Sequence, residues 1–191
     1  MNNNKLFFIS GPSAVGKNSV IDGVKKAISK LEEAVSCTTR KKRPREINGE
    51  HYYFISESEF ENKIKNDKFL EYFKVHGLYY GTLKSEVDRI INKKNIPLAI
   101  IDVQGALYVK KNNPNAILIF IKPDSWEVLE KRLKTRNINS EELKTRLKSA
   151  KNELMQAKNY DYQVINPTGK IEQAIQEVTE IIEKEVNSLE K

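Results

Sequence analysis

Leu6-Phe7-Phe8-Ile9-Ser10 runs directly into Gly11-Pro12-Ser13-Ala14-Val15-Gly16-Lys17-Asn18-Ser19, and a helix-compatible stretch follows. The apolar run reads as a buried strand. The glycine-bounded loop after it reads as a phosphate cradle. Gly11 and Gly16 permit backbone angles that side chains forbid, so successive amide N–H groups can turn inward toward anionic oxygens. A helix opening at Lys17 adds the positive end of its dipole. Lys17 itself supplies a point charge suited to β and γ phosphates. The pattern predicts a grip on a nucleoside triphosphate, with Gly11, Pro12, Ser13, Ala14, Val15, Gly16, Lys17, Asn18 and Ser19 in the binding loop. A hydroxyl residue normally follows the lysine to serve Mg²⁺. Asn18 stands there instead, and the hydroxyl comes one place later, so Ser19 is the expected metal ligand. The plainer alternative is that two glycines merely punctuate a strand-to-helix turn.

The chain around this loop has 191 residues, which suits one domain carrying small inserted lobes. Its net charge of +7, from 33 basic and 26 acidic residues, favours polyanionic ligands. The lysines are spread at helix-like spacing, which marks a solvated face rather than a nucleic-acid footprint. Cys37 is the sole cysteine and cannot form an internal disulfide. Lying between Ser36 and Thr38, it reads as a small packing residue in a reducing compartment. Runs such as Ala116-Ile117-Leu118-Ile119-Phe120-Ile121 are too short to span a bilayer. Nothing before the loop resembles a cleavable signal. The expected setting is cytoplasmic, with no membrane or nucleic-acid partner.

Leu6 to Ser10, Pro97 to Asp102 and Ala116 to Ile121 each precede a helical pattern, the alternation of a parallel sheet. Tyr162 to Asn166 is predicted to add the last strand. Ile171, Ala174, Ile175, Val178, Ile181, Ile182 and Val186 share one face of a C-terminal helix that packs on that sheet. Two regions break the rhythm. Residues 36–82 mix short strands and turns. They include an Asn48-Gly49 turn, a strand at Tyr52 to Ile55, and a helix from Ser56 to Asn66 with Ser56 as N-cap and Glu59 three places on. Residues 127–156 are strongly charged and helical, interrupted at Asn137-Ile138-Asn139-Ser140.

Arg40 and Arg43 lie in Ser36-Cys37-Thr38-Thr39-Arg40-Lys41-Lys42-Arg43-Pro44-Arg45. Planar guanidinium groups suit bidentate phosphate binding, although such a run alone more often forms an exposed basic loop. Other short motifs follow in order. They are Tyr52-Tyr53-Phe54, Phe69-Leu70-Glu71-Tyr72, Tyr79-Tyr80-Gly81-Thr82 and Asp102-Val103-Gln104-Gly105, then Arg132, Arg136 and Arg146, then Tyr160-Asp161-Tyr162 and Asn166.

Taken together with the phosphate loop, these motifs resemble the guanylate kinases along nearly the whole chain. The resemblance implies an α/β fold: a P-loop NTPase core with a parallel sheet flanked by helices, a mixed α/β monophosphate-binding lobe, and a helical lid. The single domain would divide into core 1–35, 83–126 and 157–191, GMP lobe 36–82, and lid 127–156. It implies transfer of the γ-phosphoryl group from ATP to GMP, with Mg²⁺ as cofactor. Arg40, Arg43, Tyr52 and Tyr80 would hold the GMP phosphate. Glu71 and Asp102 would accept the guanine N1–H and N2–H₂ donors, while Ser36 and Thr82 would donate to O6. Adenine inverts that hydrogen-bond polarity and would leave buried groups unpaired. Lys17, Arg136 and Arg146 would stabilise the migrating phosphoryl group. Arg132 and Asn166 would serve the ATP side. The GMP phosphate is already nucleophilic, so no general base is expected. The partners are small nucleotides, and the chain would act as monomer or homodimer.

Some positions depart from the family pattern. Ala14 and Asn137 replace usual glycines, Asn18 replaces the metal-binding hydroxyl, Ile100 stands where an acid is common two places before Asp102, and Pro167 follows Asn166 in place of an acid. Two other functions fit part of the pattern. One is a related P-loop kinase acting on a sugar phosphate, which would need no base-edge code. The other is a non-catalytic guanylate-kinase-like module that binds peptides, which would not need Lys17 or the lid arginines.

Overall fold

A computed structural model describes residues 5–75, 77–135 and 138–188. Its main sheet is built from β1 (Leu6–Ser10), β2 (Leu31–Glu33), β7 (Ile96–Ile100), β8 (Ala116–Pro123) and β9 (Tyr162–Asn166). All neighbours pair in parallel in the order β2-β7-β1-β8-β9, so the phosphate loop leaves the central strand. Around it pack α1 (Lys17–Ala27), α3 (Lys84–Asn92), α4 (Val103–Asn112), α5 (Trp126–Lys134), α6 (Ser140–Gln156) and α7 (Ile171–Asn187).

The central strands are apolar throughout because both faces of a parallel sheet are covered. Successive side chains point to opposite faces. Phe7, Ile9, Ile117, Ile119 and Ile121 therefore enter the core shared with α1 and α7, while Leu6, Phe8, Leu118 and Phe120 enter the core shared with α3 and α4. The expected strands are present, with shifted ends. The strand predicted over 97–102 stops at Ile100, because Asp102 has already become the cap of α4. The short edge strand β2 has no counterpart among the sequence expectations.

A second sheet, ordered β4-β3-β6-β5, comprises β3 (Cys37–Thr38), β4 (Tyr53–Phe54), β5 (Phe69–Val75) and β6 (Leu78–Leu83). The strand predicted from Tyr52 to Ile55 is thus confined to its two middle residues. This sheet and α2 (Glu57–Lys65) enclose their own small core of Cys37, Phe60 and Phe69. Phe60 stacks between Phe69 and Tyr79, at centroid separations of 4.3 and 5.0 Å. Ser56 caps α2 by accepting the Glu59 amide hydrogen bond at 3.1 Å. Cys37 is fully buried, a packing residue as predicted, and burial pushes its thiol up to about 12.

The charged segment after β8 forms α5 and α6. Leu129, Leu133 and Ala150 are buried in the main core, so both helices are rooted in it rather than detached. Among the described residues, no helix is long and apolar enough to cross a membrane.

Candidate active site

The two sheets and α6 face each other across a cavity of about 780 Å³. Gly11, Ser13 and Lys17 line one wall, Arg40, Arg43, Tyr52 and Tyr80 the opposite one. Ser36, Glu71 and Asp102 lie deeper, and Arg146 approaches from α6.

The loop wall follows from β1 ending beneath α1. Gly11 and Gly16 have φ of +148° and +97°, and a Cβ at Gly11 would lie 2.3 Å from the Ile121 carbonyl oxygen. Ala14 also takes a positive φ, +68°, where a glycine would be unstrained. Lys17 Nζ donates to the Gly11 carbonyl and, at 3.1 Å, to the Pro12 carbonyl. The lysine thus already curls over the cradle where phosphate oxygens would sit.

The opposite wall is preorganised around Arg40. Glu46 grips its guanidinium through two bonds, Nη1 to Oε2 at 3.0 Å and Nη2 to Oε1 at 2.7 Å. Glu46 also accepts the Arg43 amide at 2.7 Å, drawing both arginines into one loop. Arg40 holds the Glu46 carboxyl down to about 2, and Glu46 in return raises the Arg40 pKa. The guanidinium carbon lies 5.5 Å from the ring centroids of both Tyr52 and Phe54. Sequence reasoning missed Glu46. Its only signal was an acid close to two arginines in a turn-rich loop.

Glu71 sits at the cavity floor, 5% exposed. Its Oε1 accepts the Thr82 amide at 2.9 Å. Burial pushes its carboxyl up to about 7, an effect that hydrogen bonds from Thr82 reduce and nearby Asp102 increases. Gly105 makes room for it: a Cβ there would stand 2.7 Å from Glu71 Oε2. Ser36 and Thr82 hydroxyls are 3.5 Å apart beside it. Asp102 caps α4 by accepting the Gln104 amide on Oδ1 at 2.9 Å and also lines the cavity, so its capping role leaves it facing the cleft.

On α6, Arg146 is braced by Glu142, with Nε and Nη2 both on Oε1 at 2.9 and 2.7 Å. Nη1 reaches the Ser13 hydroxyl at 3.1 Å, bringing the helix onto the phosphate loop. Glu153, also missed from sequence, lines the same cavity. Burial pushes its carboxyl up to about 7, with Lys17 acting against the rise and Asp102 adding to it.

Other predicted residues take different stations. Arg132 lies behind the loop, where Nη1 donates to the Val15 carbonyl at 3.3 Å and Nη2 to the Thr168 hydroxyl at 3.0 Å. Asn166, expected on the ATP side, is buried beneath the loop, and its Nδ2 donates to the same Val15 carbonyl at 2.8 Å. It shapes the cradle from below and does not line the cavity. Asn18 and Ser19 are exposed on the first turn of α1. Arg136 and Asn137 fall outside the described residues.

The chain is similar to known guanylate kinases over nearly its whole length. The guanylate kinase family model matches residues 3–185. A guanylate kinase of Fusobacterium nucleatum is 47% identical over 182 residues, covering 95% of this chain and 97% of the relative. One from Thermotoga maritima is 42% identical, covering 95% and 87%. The crystal structure of guanylate kinase from Anaplasma phagocytophilum superposes with a TM-score of 0.76 at 27% identity, covering 95% of this chain and 86% of that one. With a phosphate loop, an arginine-lined wall and a buried carboxylate meeting in one cleft, and with these relatives at near full length, the chain belongs to the guanylate kinase family.

Proposed function

We propose that this cleft transfers the γ-phosphoryl group of ATP to GMP, with ATP on the loop wall and GMP between Arg40 and Glu71. One observation carries the reading: a deeply buried carboxyl, Glu71, shares a cavity with the phosphate loop and a paired-arginine wall. A phosphate site alone would serve many acceptors. A buried acceptor of hydrogen bonds beside two hydroxyls suits guanine, whose pairing edge offers two donors and one acceptor. A sugar phosphate, whose hydroxyls both donate and accept, needs no such fixed polarity.

In this reading, Arg40, Arg43, Tyr52 and Tyr80 bind the GMP phosphate as a dianion. Glu71 and Asp102 accept from guanine N1–H and N2–H₂, and Ser36 and Thr82 donate to O6. Lys17 exchanges its loop carbonyls for ATP oxygens. Arg146 crosses from α6 to the phosphoryl group in flight, with Arg136 assigned beside it on the resemblance. Alignment and positive charge suffice, because the transition state is loose and the attacking oxygen is already anionic. Arg132 and Asn166 hold the shape of the ATP-side loop. The lobe of residues 36–82 and a lid within residues 127–156 close over both nucleotides and exclude water.

Mg²⁺ fits this donor set. Among the described residues there is no cluster of three or more His, Cys, Asp or Glu side chains able to hold a metal. That suits an ion held chiefly by substrate phosphates and water, with the exposed Ser19 hydroxyl or Asn18 amide oxygen at the α1 N-terminus as its protein ligand. Bound there, the ion would neutralise triphosphate charge.

A coupled assay with ATP, Mg²⁺ and a panel of monophosphates tests the assignment. GMP should be turned over far faster than AMP or UMP. Glu71→Gln should raise the KM for GMP by roughly 5- to 150-fold, the equivalent of ~1–3 kcal/mol for a mispaired buried group, and leave the KM for ATP nearly unchanged. Preference for AMP, or equal loss at both substrates, would contradict it.

A further inference from the structure

The chain enters the GMP lobe through residues 34–36 and leaves it at residues 83–84, and α3 begins there. The first turn of α3 carries Glu86, a carboxylate only 5% exposed, at the junction of the two crossings. Its Oε2 accepts the Val35 amide at 3.1 Å, and its Oε1 accepts the Tyr53 hydroxyl at 3.1 Å. Arg89, one turn on, donates to both oxygens at 3.2 and 3.0 Å. Arg89 is itself paired with Glu32 on β2, which Lys93 and Asn95 also bind at 3.1 and 2.7 Å. A continuous polar chain therefore runs from the edge of the core sheet into the lobe.

The two lobe-side groups held by Glu86 are informative. Val35 precedes Ser36, and Tyr53 follows Tyr52. Ser36 and Tyr52 both line the cavity. The two segments are also tied together, since the Tyr53 amide donates to the Ser36 carbonyl at 2.9 Å. Neighbours in an extended chain project to opposite sides, so fixing Tyr53 from behind sets how Tyr52 is presented in front.

We propose that Glu86 is a positioning residue for the GMP site: its carboxylate clamps Val35 and Tyr53 from the core and so fixes Ser36 and Tyr52 against the ligand. The proposal rests on the assignment of that wall to GMP. The clamp is an ionised group. Burial alone would push its carboxyl up, but the bonds from Arg89, Val35 and Tyr53 outweigh burial and hold it below the usual carboxylate range. Glutamine cannot replace it, because its NH₂ would be turned against a donor.

Steady-state kinetics on Tyr53→Phe, Glu86→Gln and Glu32→Gln test the clamp. Tyr53→Phe removes one hydrogen bond and should raise the KM for GMP roughly three- to tenfold. Glu86→Gln should raise it further, and in both variants the KM for ATP and kcat at saturating GMP should stay within about twofold. Glu32→Gln weakens the core end alone and should lower the melting temperature without moving the KM for GMP. Folded Tyr53→Phe with a wild-type KM for GMP would overturn the proposal, as would equal rises for both substrates or an equal rise in Glu32→Gln. If wild-type protein itself fails to use GMP, it is the site assignment that falls.

Discussion

Ala14 shows what one methyl group costs in a phosphate loop. Its φ of +68° lies in the left-handed region, where a Cβ crowds the following carbonyl. Its methyl also packs partly against the main core, which offsets some of that strain. Ala14→Gly should therefore raise stability modestly, by about 0.5–1 kcal/mol, read as a higher urea midpoint with an unchanged m-value. A lower midpoint would mean that the packing outweighs the strain. Residue types also explain what could be read in advance here. Lys17, Arg40 and Glu71 announce themselves because cationic and acidic side chains recur beside glycines and tyrosines in a recognisable order. Glu46 and Glu153 were missed because their roles lie in partners that no local period reveals. Glu46 meets Arg40 across an irregular loop, and Glu153 meets the cavity only because α6 folds back onto the phosphate loop. Asn166 illustrates a different gap: the residue type is visible in sequence, but its bond to Val15 from beneath the loop is not.

At the level of single elements, a helix terminus brings a carboxylate to the candidate site. The N-terminus of α4 is capped by Asp102, which also faces the cavity. The cap and the proposed ligand contact separate by substitution. Asparagine caps a helix about as well as aspartate, yet its amide presents a donor and no charge to guanine. Asp102→Asn should keep stability within about 0.5 kcal/mol and raise the KM for GMP several-fold, whereas Asp102→Ala should lose ~1 kcal/mol as well. Equal KM values in wild type and Asp102→Asn would reduce Asp102 to a cap. Helix α6 works through its face rather than its end. Glu142 and Arg146, one turn apart, form an intrahelical pair that aims Nη1 at Ser13. Arg146→Ala should lower kcat on the order of 10²–10³-fold with small changes in either KM, the loss expected for a donor used mainly in the transition state. Lysine should rescue little of it, because an ammonium cannot serve Glu142 and a phosphoryl oxygen in fixed directions. The elements themselves were legible where they were long and periodic. The stripe from Ile171 to Val186 became α7, and the apolar runs became β1, β8 and β9. β2 and β3 were not, since three and two residues carry no measurable period and exist only through distant partners, β7 for β2 and β4 and β6 for β3.

Across the whole molecule, two sets of carboxyls oppose each other as pH changes. Glu71 and Glu153 are raised to about 7 in the fold, from an ordinary value of 4.5. Between those values the native chain holds protons that the unfolded chain has released, so stability falls as pH rises from about 4.5 to 7 and is level above. For Glu71 this amounts to at most about 3 kcal/mol. Glu32 and Glu46 are lowered to about 2. Their contribution is present above 4.5 and disappears as pH falls toward 2. The ligand-free protein should accordingly be most stable near pH 5, lower than a protein whose carboxyls are all paired. On the proposed site assignment GMP would change this balance, because guanine donors would need Glu71 ionised. Binding should pull its pKa down and remove much of the loss above pH 5. The rise in melting temperature produced by saturating GMP should then be larger at pH 8 than at pH 5.5. The second ionisation of the GMP phosphate, near 6, pushes in the same direction, so the decisive comparison is with Glu71→Gln, where only the phosphate contribution remains. Wild type should show the steeper pH dependence. Matching curves for the two proteins would mean that Glu71 does not change protonation on binding: either it is already ionised in the ligand-free protein, or it stays protonated against the ligand and the hydrogen-bond polarity assigned to the guanine edge is reversed.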